Sequence, residues 1–153
     1  MPILVLLRHA KAEAPAQDDR SRALAVRGRA DAAAAGRWLG HRGLVPDRVV
    51  VSPALRTRQT WELAGVVEPV VEPVVDARVY DASVADLLRV LADTPAAVHV
   101  LVLVGHDPGL TDLLALLAPG GAARMATCAV AVIELPAWDA TDGVLREHAV
   151  PRG

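Results

Sequence analysis

Apolar residues in this chain are arranged in short unbroken runs, separated by longer segments that have helical periodicity. The runs at 2–7 and 98–104 have the length of a strand and show no alternation of apolar and polar residues, which is typical of strands buried on both faces of a sheet. The segment 70–75 contains Pro73 and follows Pro69, which favours an edge strand. We predict strands at 2–7, 49–51, 70–75, 98–104, 127–135 and 144–150, of which the last two form a hairpin.

Segments between these strands have the spacing of helices, at 26–39, 53–64, 84–91 and 108–117. Ser52-Pro53 and Asp107-Pro108 share one form: a residue that caps helices precedes a proline, which loses no hydrogen bond at the first helical position. Strands that alternate with helices predict a mostly parallel sheet. We therefore expect a single α/β domain over residues 1–153, a three-layer sandwich whose central sheet of about six strands has helices on both faces.

Composition limits the classes of function. No apolar run reaches the ~20 residues that span a bilayer, and Arg8 interrupts the N-terminal run, so neither a membrane protein nor a secretory signal is expected. A net charge of −2 does not fit the broad basic surface of a nucleic-acid-binding protein. We therefore expect a cytoplasmic protein whose partner is neither a membrane nor a nucleic acid, and the sequence leaves its oligomeric state open.

Arginine and histidine residues follow three of the predicted strands. Arg8 and His9 end the first strand, Ser52 and Arg56 follow the second, and His106 follows the fourth. Because parallel sheets bind ligands beyond the carboxyl ends of their strands, we expect these residues to lie at one edge. Guanidinium groups and helix N-termini bind phosphate oxygens, and a neutral imidazole held among positive charges can attack phosphorus.

The sequence thus predicts His9 as the nucleophile of a phosphoryl-transfer site. Arg8, Arg56 and His106 would share the charge of the transferring group in the transition state. Such a site requires no metal and no other cofactor.

Three strings in the chain carry a resemblance to a known family. LLRHAKAE resembles the Arg-His-Gly signature of the histidine phosphatase superfamily (phosphoglycerate mutase-like), with Ala10 in place of the glycine, and SPALRTRQT and VGHDP resemble its second and third blocks. The segment from Asp19 to Gly28 is similar to a loop of the small SixA-type phosphohistidine phosphatases. The resemblance implies a phosphoglycerate mutase-like fold and phosphatase activity through a phosphohistidine enzyme intermediate. It also implies a catalytic core of Arg8, His9, Arg56 and His106, with a supporting phosphate contact from Arg22.

The sequence leaves open which residue protonates the leaving group. Superfamily members that cleave phosphate esters use a carboxylic acid, for which Asp81 is the best-placed candidate and Asp18 or Asp19 the alternative. Asp81 also suits the start of the next helix as a cap. A phosphohistidine substrate needs such an acid less, because a ring nitrogen of the leaving imidazole titrates near ~6.5 and accepts a proton readily.

The chain has no long insertion that would roof the site, which predicts a shallow pocket open to a histidine displayed on a protein. We therefore predict a phosphatase that acts on phosphohistidine of a phosphorylated protein, such as a histidine-phosphotransfer domain. The alternative with the same chemistry is a small phosphomonoester phosphatase or a phosphoglycerate mutase-like enzyme acting on a small phosphate ester. Two rivals are a non-catalytic phosphate-binding module and a metal hydrolase built on His9, His106, Asp18 and Asp107, whose histidines lack the usual ligand spacing.

Overall fold

The computed structural model describes residues 1–15, 17–65, 71–120 and 123–153. Strands and helices alternate through most of the chain, as the sequence pattern predicts. The elements in order are β1 (Ile3–Arg8), α1 (Val26–His41), β2 (Arg48–Val51), α2 (Leu55–Ala64), β3 (Val74–Val75), α3 (Val84–Ala92), β4 (Val100–Gly105), α4 (Gly109–Leu117), β5 (Val130–Glu134) and β6 (Val144–Ala149). Two short 3-10 helices cover Asp19–Ser21 and Ala77–Val79. The strand predicted at 70–75 begins outside the described residues, and within them it covers only its last two positions.

The strands form one sheet in the order β3-β2-β4-β1-β5-β6. Strands β3, β2, β4 and β1 are parallel to one another, whereas β5 pairs antiparallel with β1 and β6 pairs antiparallel with β5. The predicted hairpin at the end of the chain is confirmed, as is the edge position of the strand flanked by prolines. Strand β5 therefore runs opposite to the other five strands, which makes the sheet mixed.

Helices cover both faces of the sheet, so that its central strands are buried on both sides. On β1, Leu4 and Leu6 pack in the layer formed with α3 and α4, and Val5 and Leu7 pack in the layer formed with α1 and α2. All four side chains are fully buried. The expected three-layer sandwich is therefore confirmed. None of the helices in the described ranges is long and apolar enough to cross a membrane.

Two helices begin later than the sequence predicts. Helix α2 begins after Ala54, which has no side-chain cap bond, and the Ser52 hydroxyl accepts a hydrogen bond from the backbone of Ala54 at 3.2 Å. Helix α4 begins after Pro108, although the Asp107 carboxylate still accepts from the first turn, at the backbone nitrogen of Thr111, 3.1 Å away. The prediction of Ser52 as a helix cap is therefore wrong, because its hydroxyl is directed to the end of β4 instead.

Candidate active site

The carboxyl ends of the three central parallel strands are held in register by backbone hydrogen bonds. Arg8 on β1 pairs with Gly105 on β4, and the next residue, His9, donates its backbone N–H to the Gly105 carbonyl at 3.1 Å. On the other side of β4, the Ser52 backbone N–H donates to the Val104 carbonyl at 3.2 Å. The residues that follow β1, β2 and β4 therefore lie together at one edge of the sheet, as the sequence predicts.

His9 is held in one orientation by its own neighbour. Its Nδ1 lies 2.7 Å from the backbone oxygen of Ala10 and, because a carbonyl oxygen only accepts, Nδ1 carries the hydrogen. The Ala10 backbone N–H in turn donates to the Thr60 hydroxyl on α2, at 3.0 Å. The Nε2 atom of a neutral His9 therefore retains its lone pair.

Burial keeps the His9 ring uncharged. His9 is only 8% exposed, and this desolvation lowers its pKa to about 4, with further lowering by the positive charges of Arg56 and Arg8. The sequence predicts a ring held neutral by nearby positive charge, whereas burial is the larger cause in the structure. At neutral pH the imidazole is free to act as a nucleophile.

His106 faces His9, with the two ring centroids 5.3 Å apart. Its Nε2 lies 2.8 Å from the Ser52 hydroxyl, and its Nδ1 is buried without a hydrogen-bond partner. Burial, aided by the charge of Arg56, lowers the pKa of His106 to about 3. The ring is therefore neutral, and it can offer only one N–H at a time.

Arg56 and Arg8 supply the positive charge of the site. Arg56 is 6% exposed and uses both terminal nitrogens on Asp19, donating to its backbone oxygen at 2.8 Å and to its Oδ2 at 3.0 Å. Arg8 donates one terminal nitrogen to the Met125 carbonyl at 3.0 Å, and burial lowers its pKa. These contacts fix the two guanidinium groups before any substrate binds.

Three buried nitrogens of the site residues have no hydrogen-bond partner: the Nε atoms of Arg8 and Arg56, and Nδ1 of His106. They are the full set of unpartnered buried side-chain polar atoms in the part of the chain that the structure describes. A buried donor without an acceptor costs about 1–3 kcal/mol, so such groups are rare in folded proteins. The arrangement can bind an oxyanion that supplies several acceptor atoms at once.

Asp19 links the remaining polar groups around the site. Its carboxylate accepts from the Tyr80 hydroxyl at 2.6 Å, from Arg56, and from Arg22 at 3.2 Å. The Tyr80 hydrogen bond is the largest of the effects that hold the pKa of Asp19 well below its usual range. Asp19 is therefore ionised at neutral pH and lacks the proton that a general acid must donate. Arg22 also donates its Nε hydrogen to the Glu13 carbonyl at 2.8 Å, and its positive charge contributes to the lowered pKa of His9.

The other two candidate acids lie apart from this network. Asp18 accepts from the Ser21 backbone at 2.9 Å and caps the 3-10 helix Asp19–Ser21. Asp81 is exposed in a turn, where its φ of 52° falls in the left-handed region. The reading of Asp81 as the cap of α3 is wrong, because Ser83 occupies that position and forms a capping box with Asp86.

Two side-chain contacts of the site are not predicted by the sequence. Ser52 is expected at this edge of the sheet, but its hydrogen bond with the His106 ring is not predicted. Tyr80, whose ring centroid lies 5.6 Å from that of His106, carried no signal beyond its place beside Asp81. Both contacts depend on segments distant in the chain.

The rival metal site does not assemble from its proposed ligands. Asp107 uses its carboxylate on Thr111, accepting from the backbone at 3.1 Å and from the hydroxyl at 2.7 Å. Within residues 1–15, 17–65, 71–120 and 123–153, no group of three or more His, Cys, Asp or Glu side chains is arranged to hold a metal ion. The carboxylates that this rival requires thus have structural partners.

Comparison with known proteins identifies the family of the chain. The family model of the histidine phosphatase superfamily, branch 1, matches residues 4–88, more than half of the chain. The chain belongs to this superfamily and is a phosphatase.

Solved structures with the same architecture include three SixA proteins. The protein histidine phosphatase SixA complexed with tungstate is 26% identical, with a TM-score of 0.87 over 97% of each chain. The putative phosphohistidine phosphatase SixA from Nakamurella multipartitia is 30% identical, with a TM-score of 0.80 over 98% of this chain and 96% of that one. That from Agrobacterium tumefaciens is 27% identical, with a TM-score of 0.84 over 97% and 98%. The chain therefore has the phosphoglycerate mutase-like fold of these proteins.

Curated relatives come from Mycobacterium tuberculosis. The uncharacterized proteins MT1313 of strain CDC 1551 / Oshkosh and Rv1276c of strain ATCC 25618 / H37Rv are each 34% identical over 113 residues, which cover 73% of this chain and 70% of the relative. Their names assign no substrate.

Proposed function

We propose that this protein is a phosphohistidine phosphatase that removes the phosphoryl group from a histidine displayed on another protein. The observation that carries the proposal is the set of three unpartnered buried nitrogens, on Arg8, Arg56 and His106, beside a neutral His9. A phosphoryl group supplies the oxygens that these donors lack. One of the structural relatives was solved with tungstate, which is likewise an oxyanion.

In the first step His9 Nε2 attacks phosphorus, and the bond between phosphorus and the substrate nitrogen breaks. The electron pair of that bond stays on the leaving imidazole, which departs neutral when its other nitrogen carries a proton. The Arg8 and Arg56 guanidinium groups and the His106 N–H stabilise the charge on the equatorial oxygens. The hydrogen bond from His9 Nδ1 to Ala10 keeps the attacking ring oriented while it becomes positively charged.

In the second step water attacks the phosphorylated His9. The bond between Nε2 and phosphorus breaks, its electron pair returns to the ring, and both protons of the water stay on the phosphate, which is released as H2PO4−. His9 is then neutral again, and the two steps together consume one water without oxidation or reduction. The His106 and arginine contacts serve this step as they serve the first.

The protonation states favour cleavage of a P–N bond over a P–O bond. An alkoxide leaving group needs a proton in the transition state, whereas a protonated phosphoimidazole does not. Asp19 is ionised and committed to Arg56, Arg22 and Tyr80, and the Asp18 carboxylate is used as a cap. Neither alternative carboxyl group is thus ready to protonate an ester oxygen.

A small phosphomonoester phosphatase or a phosphoglycerate mutase-like enzyme is the second candidate. Asp81 follows Tyr80, whose ring lies against His106, so the turn that carries Asp81 borders the site. If substrate binding brings that carboxyl group to the leaving oxygen, phosphate esters become the better substrates. We keep Asp81 as the proposed acid for that activity only.

A phosphoenzyme trap tests the proposal. The protein is mixed with a chemically phosphorylated histidine-phosphotransfer domain and quenched within the first turnover, and the acid-labile phosphoryl group is located by mass spectrometry. We expect the label on His9, complete loss of turnover in His9→Ala, and full activity in His41→Ala, which alters an exposed histidine at the end of α1. Turnover retained in His9→Ala, or a label elsewhere, would refute the mechanism.

A further inference from the structure

A cleft of about 600 Å³ lies directly beside the catalytic residues. Two residues of its wall also belong to the site: Asp19 binds Arg56, and the Tyr80 ring lies against His106. The cleft is lined by Asp18, Asp19, Arg20, Ser21, Pro53, Leu55, Arg58 and Tyr80. It is far larger than a phosphoryl group and has the volume of a site that holds several side chains.

The cleft is lined by two aspartates and two arginines, but these groups differ in the ion pairs that they form. The carboxylate of Asp19 already accepts from Tyr80, Arg56 and Arg22, and that of Asp18 accepts from the Ser21 backbone. In contrast, Arg20 and Arg58 form no salt bridge with any carboxylate of the described residues. The cleft therefore presents two guanidinium groups that pair with no carboxylate of the described residues, beside an Asp18 carboxylate that is bound to a backbone N–H.

Both guanidinium groups are also held in place. The Arg20 guanidinium carbon lies 4.4 Å from the centroid of the Tyr80 ring, a stacked arrangement that restricts the side chain. Arg58 donates its Nε to the Pro53 carbonyl at 3.2 Å, which leaves its terminal nitrogens available. Side chains that are already ordered lose less entropy when a partner binds them.

We propose that this cleft is the docking surface for the phosphorylated protein, and that Arg20 and Arg58 pair with acidic side chains that flank the phosphohistidine on that partner. The inference rests on the proposed function, and it adds that the substrate protein has acidic residues beside its phosphohistidine. Acidic side chains on either side of the phosphohistidine would form ion pairs with these two arginines. The phosphoryl group would at the same time bind Arg8, Arg56 and His106. Pro53 and Leu55 add apolar surface to the lining of the same cleft.

Phosphohistidine peptides of one sequence test the inference without knowledge of the natural partner. They carry Glu, Gln or Lys on both sides of the phosphorylated histidine, and kcat/KM is measured at low and high salt. For the unaltered protein we expect the Glu peptide to exceed the Lys peptide by about tenfold at low salt, with the difference shrinking as salt screens the pairs. In the double variant Arg20→Gln/Arg58→Gln the preference should fall to about twofold or less.

Charge reversal and a matched control complete the test. Arg58→Glu should shift the preference toward the Lys peptide, which a loss of folding could not do. The double variant Arg29→Gln/Arg37→Gln removes the same charge from exposed positions on α1, outside the cleft, and should keep the preference for Glu.

The possible failures are distinguishable. Turnover of all peptides at equal kcat/KM by the unaltered protein, or an unchanged preference in Arg20→Gln/Arg58→Gln, would overturn the docking surface alone. Absence of turnover for every phosphohistidine peptide, together with turnover of an aryl phosphate, would overturn the proposed function and the inference with it.

Discussion

The Ser52 hydroxyl lies 2.8 Å from Nε2 of His106 and also accepts the backbone N–H of Ala54. Among the described residues, His106 Nε2 is the acceptor that this geometry offers to the hydroxyl hydrogen of the fully buried Ser52. Donation from Ser52 leaves Nε2 without a hydrogen, so the neutral ring carries its hydrogen on Nδ1. Nδ1 is the buried atom without a partner, and it thereby becomes a donor for a phosphoryl oxygen.

The first prediction follows from this tautomer. Ser52→Ala should lower kcat by about ten- to a hundredfold, because the His106 ring loses the bond that selects its donor nitrogen. Long-range ¹H–¹⁵N spectra should show hydrogen on Nδ1 of His106 in the unaltered protein and a mixture of tautomers in Ser52→Ala. Ser52→Thr, which keeps the hydroxyl, should retain both activity and tautomer. Hydrogen found on Nε2 in the unaltered protein would contradict this role of Ser52.

A second prediction concerns stability at acidic pH. The pKa of His9 is lowered to about 4 in the folded protein, so the unfolded chain takes up a proton first as pH falls below about 6.5. The contribution of His9 to stability is therefore fully present above pH ~6.5 and is lost as pH falls toward 4, by about 3 kcal/mol. The lowered pKa of His106 likewise reduces the free energy of unfolding as the pH falls.

Chemical denaturation at a series of pH values checks this linkage. The free energy of unfolding should fall more steeply between pH 6.5 and 4 for the unaltered protein than for His9→Gln/His106→Gln. An NMR titration should give a pKa of about 4 for the ring of His9 and of about 3 for the ring of His106. Equal slopes in the two proteins would show that the histidines are not held neutral by the fold.

The third prediction separates two roles for Asp19. Because its carboxyl group is ionised at neutral pH, Asp19→Asn should not remove a titrating acid. It should instead loosen Arg56, which donates both terminal nitrogens to Asp19, and lower kcat/KM by about tenfold. The pH profile of kcat between 5 and 8 should keep its shape. A profile that loses its alkaline limb would identify Asp19 as the acid after all.

The fourth prediction addresses Asp81. Asparagine tolerates the left-handed backbone of this position, so Asp81→Asn removes the acid without straining the turn. We expect turnover of a phosphohistidine protein to change by less than about twofold, while turnover of an aryl or alkyl phosphate falls by more than about tenfold. Equal losses on the two substrates would show that the leaving group does not decide the need for an acid.

Much of the fold was predictable because burial on both faces leaves a clear pattern in the sequence. The unbroken apolar runs at β1 and β4 correspond to the two central strands of the sheet. The predicted starts of two helices were less accurate. Ser52 and Asp107 are residue types that often cap helices, but the Ser52 hydroxyl contacts His106 and the Asp107 carboxylate accepts from the backbone of Thr111. Strand β5 begins at Val130 and not at residue 127, because Cys128 has a φ of 60°, which a strand does not allow. The residue type of Cys128 did not indicate this backbone conformation.

The sequence by itself determined which chemistry is available: Arg8, His9, Arg56 and His106 follow strands whose parallel pairing brings their carboxyl ends together. Only the tertiary structure decided the states of these groups. The uncharged rings depend on burial, and the donor nitrogen of His106 depends on Ser52, 54 positions earlier in the chain. Likewise, Asp19 is ionised because Tyr80 and Arg56, which are distant in the chain, donate hydrogen bonds to its carboxylate. Neither desolvation nor contacts between distant segments can be recognised in the local sequence.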